Sequence, residues 1–133
     1  MREILFRGKR YDTGEWVYGS FLPDIYGARF PAILNNAEYD DGNNIVHDFY
    51  FVCRTTVGLY TLLYDKNGKR IFEGDIIRIK TDCFSMRGVV EFDDASLIVT
   101  DGEITECLWY NPSEMEVIGN IHDNPELLEG GGH

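Results

Sequence analysis

The sequence predicts an all-β protein: an N-terminal hairpin and loop-rich β region, then a small SH3-like barrel, then a short helical turn. Short segments of alternating apolar and polar residues recur along the chain, whereas helix-period patterns are almost absent. Gly, Asn, Asp and Pro separate these segments at turn-like spacings. The 133 residues, 44% hydrophobic and 14% aromatic, suffice for one compact core, and no apolar run approaches the length that spans a bilayer.

Ile4 and Phe6 flank Leu5 in a first strand, Asp12-Thr13-Gly14 forms a turn, and Glu15 to Phe21 reads as the returning arm of a hairpin. Residues 22–44 read as a mobile loop region, since they hold Pro23, Gly27, Pro31, Asn35-Asn36 and the run Asp40 to Asn44. Ile45 to Val52 is strand-like again, with His47 and Asp48 interrupting the alternation. These elements make an N-terminal β subdomain over 1–56.

The hairpin signal is sharpest at Thr61-Leu62-Leu63-Tyr64, which runs through Asp65-Lys66-Asn67-Gly68-Lys69 into Arg70-Ile71-Phe72. Asn67 and Gly68 tolerate the positive φ that a tight turn demands. Gly74-Asp75 breaks the pattern, after which Ile77 and Ile79 face one way and Arg78 and Lys80 the other. Val90 with Phe92, Leu97 with Val99, and Met115 with Val117, Gly119 and Ile121 repeat that alternation. Strands at roughly ten-residue spacing predict the barrel over 57–124. In 125–133, Asn124 can cap a turn begun by Pro125 and Glu126, and Gly130 suits its end. One such turn cannot hold itself in water, so Leu127 and Leu128 must dock on their own sheet or on a second subunit.

The net charge of −11 is localised. Residues 1–90 balance twelve Lys and Arg against twelve Asp and Glu, whereas from Glu91 onward there are eleven carboxylates and no Lys or Arg. Such a surface attracts basic partners and repels phosphate backbones, which argues against direct nucleic-acid binding. Cys53, Cys83 and Cys107 are widely spaced and odd in number, which excludes a disulfide framework or zinc motif and predicts buried free thiols. Met1-Arg2-Glu3 leads directly into Ile4-Leu5-Phe6 without the apolar region of a secretory signal, so the expected location is the cytoplasm.

His47-Asp48 and His122-Asp123 suggest metal ligands, but adjacent strand residues point to opposite faces. The acids Glu38, Asp40 and Asp41 suggest calcium, but Gly42 does not fall where an EF loop turns. No nucleophile elbow, P-loop or dinucleotide fingerprint is present in the sequence. No catalytic residue, metal or cofactor is therefore assigned. Most of the many rings belong to the core, with more of them than one small barrel can hide, so some are expected at a groove or subunit contact.

Arg2-Glu3-Ile4-Leu5-Phe6-Arg7, Trp16-Val17-Tyr18-Gly19, Thr56-Val57-Gly58-Leu59-Tyr60-Thr61, Asp65 to Lys69, Ile71 to Ile77, and Glu116 to Leu128 follow one another along the chain. In these stretches the chain resembles the YopX-like family of phage and prophage proteins. Leu59 stands where that family commonly has Gln, and Leu62 where it commonly has Gly. The resemblance implies an all-β fold of bacterial-virus origin, with no established activity or catalytic residue to carry over.

The expectation is a non-enzymatic domain encoded by a phage or prophage, acting in the bacterial host cytoplasm through contacts with a host or phage protein and self-associating. It would engage neither nucleic acid nor membrane directly. The candidate contact surface comprises Trp16, Tyr18, Tyr60, Asp93, Asp94, Glu114, Glu116, Leu127 and Leu128. The alternatives are a small ligand- or metal-dependent enzyme or binding protein using the 35–48 loop and His122, and an acidic nucleic-acid mimic.

Overall fold

A computed structural model of the chain describes residues 4–23, 31–40 and 45–128. Among these residues, eleven antiparallel strands make up the regular structure, and the helical segments are three short 3-10 turns at Arg54–Thr56, Pro112–Glu114 and Pro125–Leu128. The all-β prediction therefore holds. No helix among the described residues is long and apolar enough to cross a membrane. The chain divides into two compact units, 1–60 and 61–133.

In the first unit, β1 (Phe6–Lys9) pairs with β2 (Trp16–Leu22), β2 with β3 (Ala32–Asp40), and β3 with β4 (Ile45–Phe51). The start of β5 (Gly58–Tyr64) lies along the other side of β1. The first strand lies later than the sequence suggested: Leu5 is buried ahead of it and Ile4 is exposed. The Asp12–Gly14 turn forms as expected, with the Arg10 amide donating to the Glu15 carbonyl at 2.8 Å and the Gly14 amide to the Arg10 carbonyl at 3.0 Å. The Tyr11 amide donates to the Phe51 carbonyl and the Cys53 amide to the Lys9 carbonyl, both at 2.9 Å, so the end of β4 turns back onto the end of β1. Thr56 reinforces this junction, its hydroxyl accepting from the Lys9 amide at 2.9 Å and donating to the Cys53 carbonyl at 2.6 Å.

Residues 22–44 correct the sequence reading. The region holds the nine-residue strand β3, whose Ala32 and Ile33 are fully buried. Its Asn-rich stretch falls in a register shift against β4 between Leu34 and Glu38, and the three residues before it, Ala32 to Leu34, are paired with β2 on one side and β4 on the other. Residues 24–30 and 41–44 lie outside the described residues.

In the second unit, β5 leads through the Asp65–Lys69 turn into β6 (Arg70–Phe72). Then β7 (Asp75–Lys80), β8 (Ser85–Asp93), β9 (Ser96–Thr100) and β10 (Thr105–Cys107) run as a meander, and β11 (Met115–Asn120) returns beside β7. Among the described residues the strand order is β10-β9-β8-β7-β11, with β10 and β11 at its two ends.

The core gathers Ile71, Ile77, Ile79, Met86, Val90, Val99, Leu108 and Met115. Ile77 and Ile79 face inward and Arg78 and Lys80 outward, as alternation requires. Phe92 departs from its expected partnership with Val90: it lies near the β8–β9 turn and is exposed. In β11 the single apolar face is broken, because Val117 and Gly119 pair with the consecutive residues Ile77 and Ile76. The bulge sends Gly119 to the face opposite Val117. There a Cβ on Gly119 would lie 2.6 Å from Asn124 Oδ1, the oxygen that accepts the Asn120 amide at 3.2 Å. The Asn124 side chain thus bonds backward to Asn120, while its backbone carbonyl accepts the Leu127 amide at 3.1 Å.

Leu62, where the resemblance described above implies Gly, adopts φ +73°. A left-handed backbone crowds the Cβ of any residue, and β-branching adds to that crowding. Leu62→Gly is expected to hold or raise stability and Leu62→Val to lower it, the two variants separated by about 2 kcal/mol in urea unfolding. Equal midpoints for the two would show that the backbone at this position is unstrained.

Candidate functional site

Trp16 and Tyr18, two of the expected contact residues, stand on β2 in the first unit. The buried Arg7 places its guanidinium carbon 4.6 Å from the Trp16 ring centre, and the Lys9 ammonium lies 5.6 Å from it. Both cations come from β1, whose residues Arg7 and Lys9 pair in register with Tyr18 and Trp16. Cation–π contact of this kind occupies the ring face. Arg10 similarly lies 4.6 Å over Tyr50 and forms a fork with Asp12 at 3.0 and 2.8 Å. The hydrogen bond from Arg10 holds the Asp12 carboxyl below the usual carboxylate range, and the same bond raises the Arg10 pKa. Arg10, Trp16, Tyr18 and Tyr50 border a concavity of about 410 Å³. Tyr18 is the most accessible ring there, at 46% exposure. Tyr60, in β5, is half-buried and donates its amide to the Leu5 carbonyl at 2.8 Å.

The remaining expected contact residues lie in the second unit. Asp93 and Asp94 are exposed at the β8–β9 turn, where Asp94 and Ala95 take φ +48° and +67°. Glu114 is engaged locally, one carboxylate oxygen accepting the Asn111 amide at 3.0 Å. Glu116 accepts from Arg78 at 3.2 Å and stands 3.7 Å from the Lys66 ammonium. Two of the four acids are therefore tied to their own fold, which reduces the number left to imitate a phosphate backbone.

Trp109 lies outside the expected contact surface, yet it is 87% exposed, beyond β10. A tryptophan's composition suggests core, and burial depends on where the chain leaves the sheet edge. Beside it, burial raises the Tyr110 phenol, and the negative charges of Glu106 and Glu114 raise it further. Cys83 and Cys107 are exposed and Cys53 is half-buried, which corrects the expectation of three buried thiols. Cys107 belongs to a three-residue strand at a sheet edge, and Cys83 to the β7–β8 turn, neither of which can cover a side chain on both faces.

The histidine pairs fall in different units. His47 is in register with Glu38 across β3 and β4, and Asp48 is exposed. The His122 and Asp123 amides both donate to Asn120 Oδ1 at 2.9 Å, and Asp123 accepts from the Asn120 side chain at 3.1 Å. Among the described residues no three His, Cys, Asp or Glu side chains gather closely enough to hold a metal ion. Of the 35–48 loop, residues 35–40 and 45–48 belong to paired strands.

Leu127 and Leu128 are half-buried and border a second concavity of about 780 Å³, together with Arg78, Ser85, Arg87 and Ile104. The C-terminal turn thus faces residues of its own unit across this concavity.

The model of the YopX protein family matches residues 5–129. The SPbeta prophage-derived uncharacterized protein YopX of Bacillus subtilis strain 168 is 35% identical over 71 residues, covering 47% of this chain and 53% of that protein. This chain thus matches about half the length of that relative. The crystal structure of protein EF1440 from Enterococcus faecalis aligns with 97% of this chain and 100% of its own, at a TM-score of 0.63 and 24% identity, which shows a shared fold. With the family's pattern extending across every strand described above, the chain belongs to the YopX family.

Proposed function

We propose that this protein is a phage- or prophage-encoded, non-enzymatic β-domain that works through protein contacts in the host bacterial cytoplasm. Its acidic last third docks a basic segment of a host or phage protein, with Trp109 as the anchor. The 87% exposure of Trp109, the chain neighbour of Tyr110, whose phenol feels the negative charges of Glu106 and Glu114, carries this reading. Tryptophan is disproportionately represented among the few residues that dominate binding energy, and leaving so large a ring in water is unfavourable unless a partner covers it. The eleven carboxylates after residue 90 supply the complementary charge and disfavour direct contact with nucleic acid. Self-association is the second element of the reading. It is supported by Phe49 and Phe51, both exposed on β4 and meeting edge-to-face at 5.7 Å.

Affinity capture from host lysate at low and high salt, with wild type and Trp109→Ala in parallel, tests the docking. The expected result is a partner whose retention falls with salt and whose affinity drops about thirty-fold in the variant, the effect of losing roughly 2 kcal/mol of anchor. A retained set identical for both proteins and indifferent to salt, together with a monomer in sedimentation, would overturn the proposal.

A further inference from the structure

We propose that the concavity beside the β7–β8 ladder binds an organic oxyanion, a carboxylate or phosphate monoester carrying a short aliphatic chain. This site is separate from the Trp109 docking surface and does not depend on it.

Strand register sets Arg78 directly opposite Arg87, so both side chains emerge on one face of the sheet. Like charges in this position repel, and nothing in the packing of the strands calls for them. The repulsion is relieved on one side only. Arg78 is in register with Glu116 and bonds it at 3.2 Å, and Glu116 is shared with Lys66 at 3.7 Å. Arg87 is half-buried, and among the described residues none gives its guanidinium an ion pair or hydrogen bond.

Both arginines border the concavity of about 780 Å³, a size suited to a small organic ligand. Ser85, two residues before Arg87 on the same strand, offers a hydroxyl on the same face. Ile104, Leu127 and Leu128 supply an apolar wall. Two acids also border the site. Asp101 is committed to its own turn, one carboxylate oxygen accepting the Glu103 and Ile104 amides at 2.9 and 2.7 Å, and Glu103 is exposed to solvent. A guanidinium fork matches the planar edge of a carboxylate or two oxygens of a phosphate, and the wall accommodates hydrocarbon. The neighbouring acids disfavour an extended polyanion and leave room for a single charged head.

Thermal melting and calorimetric titration of the full chain at constant ionic strength, with octanoate, octyl phosphate and inorganic phosphate as probes, test the assignment. One of the two octyl compounds is expected to raise the melting temperature saturably, and inorganic phosphate to bind at least ten-fold more weakly. The tighter of the two octyl compounds identifies the head group. Arg87→Gln is expected to reduce that affinity at least ten-fold while melting, without ligand, no lower than wild type, because a like-charge contact has been removed. Methyl resonances of Ile104, Leu127 and Leu128 in the wild-type protein are expected to shift with the same probe, a readout that needs no variant. The proposal fails if neither octyl compound binds saturably, if inorganic phosphate binds equally well, if a folded Arg87→Gln binds unchanged, or if the methyl groups do not respond.

Discussion

Replacing Asp65 with alanine is expected to lower stability by about 3–5 kcal/mol, because it strips acceptors from three backbone amides at once. Asp65 is 1% exposed. One carboxylate oxygen accepts the Asn67 and Lys69 amides, both at 2.9 Å, and the other accepts the Val117 amide at 2.9 Å. A single side chain thus shapes the β5–β6 turn and fastens it to β11, fifty-two residues away. Alanine cannot replace any of these bonds. Asparagine keeps one acceptor oxygen but must aim an amide nitrogen at an N–H donor, so Asp65→Asn should cost about 1–3 kcal/mol. Burial pushes the Asp65 carboxyl up, yet the Val117, Lys69 and Asn67 amides outweigh it and hold the group below the ordinary value of 3.8. For a carboxylate depressed in the folded state, the contribution is complete above the unfolded pKa and disappears as pH falls through the folded one. Urea midpoints of the wild type should therefore stay level, as far as this group is concerned, at neutral pH and decline below about pH 4, with Asp65→Asn showing a shallower acid slope. An Asp65→Ala midpoint within error of wild type at pH 7 would show that water satisfies those amides equally well.

Asp65 also marks where the sequence was legible and where it was not. Its turn could be read because Asn67-Gly68 imposes local backbone geometry, realised with Gly68 at φ +77°. Its burial could not be read, because that depends on β11 crossing it. The same division explains β3. Ala32, Ile33 and Leu34 lie between a proline and two asparagines, and only pairing with β2 on one side and β4 on the other makes them a strand. The bulge at Ile118 leaves no trace in an alternating pattern, since one inserted residue changes the facing without changing composition. Among the candidate surfaces, the acidic last third was visible as a run of carboxylates, whereas the engagement of Glu114 and Glu116 was not. The Arg78–Arg87 juxtaposition lies hidden in the register across the 81–84 turn, where a shift of one residue would separate the two side chains. Trp109 differs again: its residue type favours burial, and the place where the chain leaves β10 decides against it.

Gly19→Ala is expected to damage the first unit nearly as much as Asp65→Ala damages the second, through a steric mechanism. Gly19 is buried on β2, in register with Phe6 of β1, and the following residue, Ser20, pairs with Leu34 of β3. A Cβ at Gly19 would run into the Leu34 carbonyl oxygen, with the carbonyl carbon at 2.8 Å and Asn35 Cα at 3.2 Å. All three are backbone atoms, so no rotamer change relieves the clash, and β3 must move away from β2. That movement would weaken the β2–β3 hydrogen bonds and loosen the packing of Ala32 and Ile33, both fully buried, for an expected cost of about 3–4 kcal/mol. Gly14→Ala provides the control. Gly14 has φ +76°, but a methyl group there would meet nothing within 4 Å, so its substitution carries only the conformational penalty of about 1 kcal/mol. Hydrogen exchange adds a spatial test: Gly19→Ala should accelerate exchange of amides along β2 and β3 while those of β7 and β8, in the other unit, keep their protection. If the two alanine variants lose equal stability, Gly19 serves backbone conformation alone, and β2 and β3 do not approach as closely as their register requires.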